Sequence, residues 1–272
     1  MLPLPYTFVE VLGRGATAET IAATDGARAL VIKRLLPHAA SRAAARDALA
    51  REARILGRLA GRGAPRLVAA AVDLPAPYLV TERFAGAPLA MVAPDVLVAR
   101  FAELAGSAFG ALARVHEAED ARGALRVVHG DVSPSNVLVG ESEVWLVDFE
   151  LGSDREGGPP ADGAFRGTLA TVAPEVARGE APTPRADLFA LAASLVGALA
   201  ASRGARPLRD ETRDGGAGWV HAAETPVSFD ASLVAAYAPP ALAPLLAACL
   251  AHDPETRPVS ARAIVEALGL QR

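Results

Sequence analysis

The chain has one lysine, Lys33, and one asparagine, Asn136, although lysine and arginine together number 27. Arginine therefore serves wherever a generic positive charge is needed. A retained lysine marks a position where a broad guanidinium does not replace a compact ammonium. The single cysteine, Cys249, excludes an internal disulfide framework. It lies in the apolar run Leu245 to Leu250 and reads as an inert buried thiol. A formal charge of −4 and a pI near 5.8 give no nucleic-acid surface. The start, Met1-Leu2-Pro3-Leu4-Pro5, lacks the basic and apolar regions of a signal peptide. The most apolar stretch, Leu188 to Ala201, is shorter than a bilayer span and reads as a buried core helix. These absences predict a cytoplasmic protein without nucleic-acid or membrane partners.

What is present is organised in two parts. Tyr6 to Gly13, Glu19 to Thr24 and Ala27 to Arg34 read as strands separated by glycine-containing turns. Ser41 to Ala60 reads as a helix with Leu49, Ala53, Leu56 and Ala60 on one face. Its arginines, Arg42, Arg46, Arg51, Arg54 and Arg58, are expected to form a solvated face, with docking of an acidic partner as the alternative. Arg66 to Val72 and Pro77 to Thr81 read as two more strands, and Phe84 to Pro88 as a connector. Helical patterns follow at Pro94 to Glu117, Pro184 to Ser202, Pro240 to Ala251 and Ser260 to Leu268. The expectation is an α+β, bilobal architecture. A β-rich lobe covers about residues 1–82, a hinge about 82–87 and a helical lobe about 88–272, with a cleft between the lobes.

The chemistry-bearing residues fall in order along this layout. Gly13-Arg14-Gly15 lies between two strands, where backbone amides can approach phosphate oxygens without a Cβ in the way. The strand–turn–strand setting argues against a dinucleotide fold, in which such a turn opens a helix. Lys33 ends a strand and Glu52 sits on the next helix, a pairing that a buried ammonium requires. His129-Gly130-Asp131 puts a candidate base five residues before Asn136, and Asp148 follows the strand Val144 to Val147. An amide oxygen and a carboxylate are hard ligands suited to Mg²⁺. His38, His116, His221 and His252 show no metal-ligand spacing and read as solvent-facing or helix-end residues. Trp145 reads as a packing residue, and Trp219 as a residue of a glycine-rich loop that contacts a partner or caps the helical lobe.

Taken together, these motifs resemble a eukaryotic-type protein kinase domain of the bacterial kind, over nearly the whole chain. Ala173-Pro174-Glu175, Asp187 and Arg257 complete the ordered set. The resemblance implies ATP and Mg²⁺ as cofactors and a protein hydroxyl as acceptor. It implies that Lys33 contacts phosphates while Glu52 holds it, that Asp131 is the base, and that Asn136 and Asp148 carry Mg²⁺. It assigns Gly13, Gly15, Glu82, Phe84 and Leu138 to nucleotide binding, Thr81 to the gatekeeper position, and Glu175 with Arg257 to a structural lock. Thr168 matches the threonine of serine/threonine kinases.

Several positions depart from the family pattern. Gly130 stands for the usual arginine, and residues 154–167 contain no Ser, Thr or Tyr. A phosphate receptor and its phosphorylation site are thus missing together, which implies activity independent of activation-segment phosphorylation; control is expected from a regulatory protein partner or from expression. Glu156 to Pro160 reads as a mobile loop. Ser133 stands for a lysine, removing a positive charge. Glu150 stands for a glycine, which is expected to restrict the backbone and add negative charge near the metal. Thr20 and Val31 are small swaps in the adenine pocket. Three readings remain open: an active serine/threonine kinase, a nucleotide-binding pseudokinase acting as a scaffold, and a small-molecule phosphotransferase.

Overall fold

The computed structural model describes residues 5–160, 167–206, 208–209 and 215–269. Three strands, β1 (Thr7–Arg14), β2 (Ala18–Thr24) and β3 (Ala29–Leu35), are followed by a short α1 (Pro37–Ala40) and the long α2 (Ala43–Leu59). β4 (Leu67–Ala71) and β5 (Tyr78–Glu82) complete an antiparallel sheet of order β1-β2-β3-β5-β4. α2 ends where Ala60 turns left-handed (φ 51°), ahead of Gly61. Leu49, Ala53 and Leu56 are buried on one face of it, as their spacing predicts. Leu49 and Ala53 pack under the sheet with Leu35 and Leu79, while Ile55, Leu56 and Leu59 join the core of the helical part. α2 is therefore tied to both halves of the molecule.

The connector is not irregular throughout. Its last residues form β6 (Gly86–Pro88), which pairs with a later strand. α3 (Pro94–His116), a small hairpin of β7 (Glu119–Asp120) and β8 (Gly123–Ala124), and the pair β9 (Val137–Gly140) and β10 (Val144–Leu146) follow. Trp145 packs as expected, its ring stacked on Phe84 of the connector at 4.4 Å. Next come α4 (Pro174–Ala177), α5 (Pro184–Ser202), α6 (Gly215–Glu224), α7 (Ala231–Ala235), α8 (Leu242–Cys249) and α9 (Ala261–Ala267).

α5 opens with Thr183 accepting from the Ala186 amide and Pro184 in the first turn. It is apolar all round because it runs through the core. The bounds are those the sequence pattern predicts, and Leu188 to Ala201 is the most apolar stretch inside them. The helix has 19 residues and, with α3, is long and apolar enough to cross a bilayer by composition. Burial explains that composition: 72% of the α5 window lies inside the fold. Trp219 lies on α6 rather than in a loop and packs against the cluster of Val172, Ala177, Ala222 and Ala223. The helix was missed because glycines dominate its first turns; Asp214, which opens the glycine-rich run Asp214-Gly215-Gly216-Ala217-Gly218, lies outside the described residues. Cys249 is buried, which pushes its thiol up to about 12 and leaves it inert.

Candidate active site

Between the five-stranded sheet and the helical part, residues distant in sequence converge. Lys33, near the end of β3, donates to Glu52 Oε2 and to Asp148 Oδ1, both at 2.7 Å. Glu150 Oε2 lies 3.6 Å from the same ammonium. One cation thus faces three carboxylates. Burial works against the Lys33 charge, but Glu52, Asp148 and Glu150 outweigh it and hold its pKa above the ordinary lysine value. The surplus negative charge falls on the carboxyls. Burial pushes Glu52 up to about 7 against the pull of Lys33. Burial and then Asp148 raise Glu150 as well.

The second cluster sits on the loop between β8 and β9. Asn136 Nδ2 donates to the Asp131 backbone oxygen at 2.9 Å and lies 3.4 Å from Asp131 Oδ2, leaving its own Oδ1 for a cation. The Thr168 amide donates to Asp131 Oδ1 at 2.9 Å. Burial lifts the Asp131 carboxyl above its ordinary range, opposed by His129 and by hydrogen bonds from Thr168. A carboxylate held in place in this way is suited to accept a proton from a neighbouring hydroxyl. Asp187 fixes the loop from below, accepting from the His129 and Gly130 amides at 2.8 and 2.9 Å. It also meets His116 Nε2 at 2.9 Å. His116 is thus a helix-end residue as expected, but it faces inward rather than into solvent.

The structure changes the meaning of two departures. Gly130 has φ 80°, and a Cβ there would lie 2.6 Å from the Leu151 carbonyl, so this backbone needs glycine rather than merely lacking an arginine. Glu150 has no left-handed backbone; Asp148 carries that conformation instead, with φ 68°. The charge expected of Glu150 is present, the backbone restriction is not. Ser133 is buried, 3% exposed, and adds no charge to the site.

Around the nucleotide positions, Gly13 and Gly15 have ordinary φ, and a Cβ on Gly13 would meet nothing within 4 Å. Open space there, with no conformational demand, fits close approach of a ligand. Val31 and Thr81 are paired across the sheet, Thr81 being buried, and Thr20 opposes Lys33. Leu138 is half-buried in β9, opposite Pro88 and Trp145. Glu82 ends β5 opposite Leu30, and the Phe84 carbonyl accepts from Gly86.

The donor set fits Mg²⁺. Asn136 Oδ1 and the Asp148 carboxylate are hard oxygens in a pocket with excess negative charge. Among the described residues no cluster of three or more His, Cys, Asp or Glu could hold a metal by itself. Mg²⁺ commonly takes one or two protein oxygens and completes its shell with phosphates and water.

A set of ion pairs that the sequence did not reveal links α2 to the segment after Asp148. Arg54 donates to both oxygens of Asp154 at 3.2 Å, and Arg58 reaches Asp154 at 3.4 Å and pairs with Glu156. The Asp154 carboxylate has no exposed surface and also accepts from the Glu156 and Gly157 amides at 3.0 Å. Arg122 holds Glu156 from the small hairpin, and Arg51 donates to the Glu150 carbonyl at 2.8 Å. Arg46 binds the carbonyls of Ala40, Val72 and Leu74. Of the five α2-associated arginines, Arg42 alone is exposed, so the expected solvated face is instead a seam. The start of the presumed mobile run is a closed turn, with Asp154 and Gly157 exchanging backbone hydrogen bonds. Residues 161–166 of that segment lie outside the described residues. Glycine and proline suggested mobility; the carboxylates of Asp154 and Glu156 were the signal against it.

The lock is present. Arg257 makes a two-pronged contact with Glu175 at 2.6 and 2.8 Å, both residues being buried.

Comparison with known proteins agrees with this geometry. The family model described as "Protein kinase domain" matches residues 6–267. The chain is similar to the tyrosine-protein kinase MasK of Myxococcus xanthus, 32% identical over 213 residues, 72% of this chain and 32% of that protein. It is also similar to the serine/threonine-protein kinase PknD of Mycobacterium tuberculosis, 31% identical over 267 residues, 94% of this chain and 38% of that protein. Among solved structures, the Mycobacterium tuberculosis PknI kinase domain matches with a TM-score of 0.63 and 23% identity, covering 99% of this chain and 96% of that one. That likeness speaks for the fold. The chain spans 32% and 38% of the length of these two curated relatives. With the family model matched from end to end of the described fold, the chain belongs to the protein kinase family.

Proposed function

We propose that the chain is an ATP-dependent serine/threonine protein kinase that works without phosphorylation of its activation segment. The observation that carries the reading is the convergence of Lys33 on Glu52 and Asp148 at 2.7 Å beside the Asp131–Asn136–Thr168 cluster. In this reading Glu52 orients Lys33 toward the phosphates, and Gly13 and Gly15 let the turn amides approach them. Glu82 and Phe84 supply backbone to the adenine, and Leu138 lines its pocket. Asn136 Oδ1 and the Asp148 carboxylate hold Mg²⁺, which when bound offsets the negative charge of the transferred group. Asp131 accepts the proton of the acceptor hydroxyl, and Thr168 fixes the carboxylate that does so.

Independence from phosphorylation is supported by Asp154. Its buried carboxylate already supplies Arg54 and Arg58 with the anion that a phosphate would otherwise provide. One observation favours the scaffold reading instead: Glu150 draws on the same ammonium the phosphates need.

The test is ADP release from Mg·ATP with a basic protein acceptor, comparing wild type with Asp131→Asn. Release that falls by about a hundredfold or more in the variant, with the Mg·ATP-induced rise in Tm retained, supports the kinase reading. Equal release in both removes Asp131 as the base. No release from wild type, with Tm still raised by Mg·ATP, supports the scaffold.

A further inference from the structure

A cavity of about 600 Å³ opens beside the Asp131 loop, within the range of about 300–1,000 Å³ typical of ligand pockets. Pro134 of that loop forms one wall, and Thr171, whose hydroxyl donates to the Thr168 carbonyl, forms another. Apolar residues such as Leu89 and Leu97 make up much of the rest. Arg209 is the one charged residue among the described residues that line it.

Arg209 is 8% exposed. Its NH1 donates to the carbonyls of Leu169 and Val172 at 3.1 and 2.6 Å. Nε and NH2 are buried without any hydrogen-bond partner, and among the described residues no carboxylate pairs with this guanidinium. Burial alone pulls its pKa down to about 10, so it remains charged at neutral pH. A buried charge without a counter-charge is costly, and proteins pair such groups. The neighbouring Arg257 shows the ordinary solution. Both guanidinium groups lie over the Phe189 ring, Arg257 at 4.9 Å and Arg209 at 5.3 Å, yet Arg257 has Glu175 and Arg209 has no such partner among the described residues.

We propose that this cavity is an acceptor-recognition site in which Arg209 receives the side-chain carboxylate of an Asp or Glu flanking the phosphorylated residue of a polypeptide. The inference rests on the kinase reading and names its substrate class. Thr171 lines both this cavity and the small pocket that contains Asp131 and Thr168, so a polypeptide whose hydroxyl reaches Asp131 lies within reach of the cavity. A carboxylate matches the donor pair Nε and NH2 in geometry as well as charge, and the apolar walls take aliphatic neighbours of that acid.

The experiment is fluorescence anisotropy with labelled peptides carrying one serine flanked by Glu, Gln, Lys or phosphoserine, alongside ADP release with the same peptides. Wild type is expected to bind the Glu peptide about tenfold or more tightly than the Gln peptide. Arg209→Gln brings the ratio to about one, and Arg209→Lys keeps part of it. Retention of the Mg·ATP-induced rise in Tm checks that each variant is folded. Where Arg209→Gln fails to fold, the wild-type ranking of the peptides and its loss with added salt decide. Equal binding of Glu and Gln peptides, no binding of the Glu peptide, or a Glu preference that survives Arg209→Gln overturns the inference. Tighter binding of the phosphoserine peptide overturns its assignment to a carboxylate. ADP release without a Glu preference removes this inference and leaves the kinase reading. Arg209-dependent binding without ADP release overturns the kinase reading and with it the acceptor role, leaving Arg209 as a carboxylate-binding site of a scaffold.

Discussion

Lys33, half-buried, and Arg209, buried, are cations in opposite situations. Lys33 is surrounded by Glu52, Asp148 and Glu150, and its pocket carries too much negative charge. Arg209 faces carbonyl oxygens and an aromatic ring, and no carboxylate among the described residues balances its charge. A folded protein tolerates either imbalance only at a cost, and each describes what is absent. In the function proposed above, a divalent cation with phosphates would complete the first pocket and a substrate carboxylate the second. Between them stands Asp154, an anion that is fully enclosed and already balanced by Arg54 and Arg58. It is a finished structural element rather than a receptor.

The largest effect expected from breaking this comparison is on turnover. Lys33→Met removes the cation from the crowded pocket, and ADP release should fall by about a hundredfold or more. Unchanged release would remove Lys33 from the phosphate site.

The next effect concerns the balanced element. Asp154→Asn cannot neutralise the guanidinium groups and should cost about 2 kcal/mol, a fall in Tm of roughly 4–8 °C, with Asp154→Glu recovering part. Phosphatase treatment of wild type should leave ADP release unchanged. A large drop would mean that a phosphate, not Asp154, organises the seam.

Glu150→Gln tests the surplus of carboxylates. The folded Glu52 carboxyl is raised from 4.5 to about 7, so the native state holds a proton that the unfolded chain releases across that window. Stability from this group is therefore greatest at low pH and is lost as pH rises from about 4.5 to about 7. Removing the neighbouring Glu150 charge should raise the Tm of the nucleotide-free protein by roughly 2–4 °C at about pH 7. The gain should shrink toward about pH 5. A gain independent of pH, or none, would show that Glu150 does not load the Lys33 pocket.

A further comparison sharpens the contrast in ligand sign. Mg²⁺ alone, at about ten times its Kd, should raise Tm by roughly 3 °C. Asp148→Asn should abolish that rise and Arg209→Gln should not.

Much of this site was legible in the chain. Lys33 was marked by its solitude, and Asp131 and Asn136 stand five residues apart on one loop, so local backbone geometry brings them together. Glu52 followed from the need of a buried ammonium for a partner. β6 and α6 escaped notice for local reasons. A three-residue strand gives no alternation, and glycines hide a helix that tertiary packing stabilises. The arginines of α2 were misjudged for a different reason. Their 3.6-residue spacing says which face they share, but not what covers that face.

The sequence by itself determined the chemistry available: one lysine, one asparagine, and carboxylates in an order that resembles a kinase. Those properties are set by residue type and short spacing. The tertiary structure alone decided which charges are balanced. Asp154 meets Arg54 across 100 residues, Arg257 meets Glu175 across 82, and Arg209 meets no carboxylate among the described residues. Charge balance depends on distance and desolvation in three dimensions, and neither quantity is written in the order of the residues.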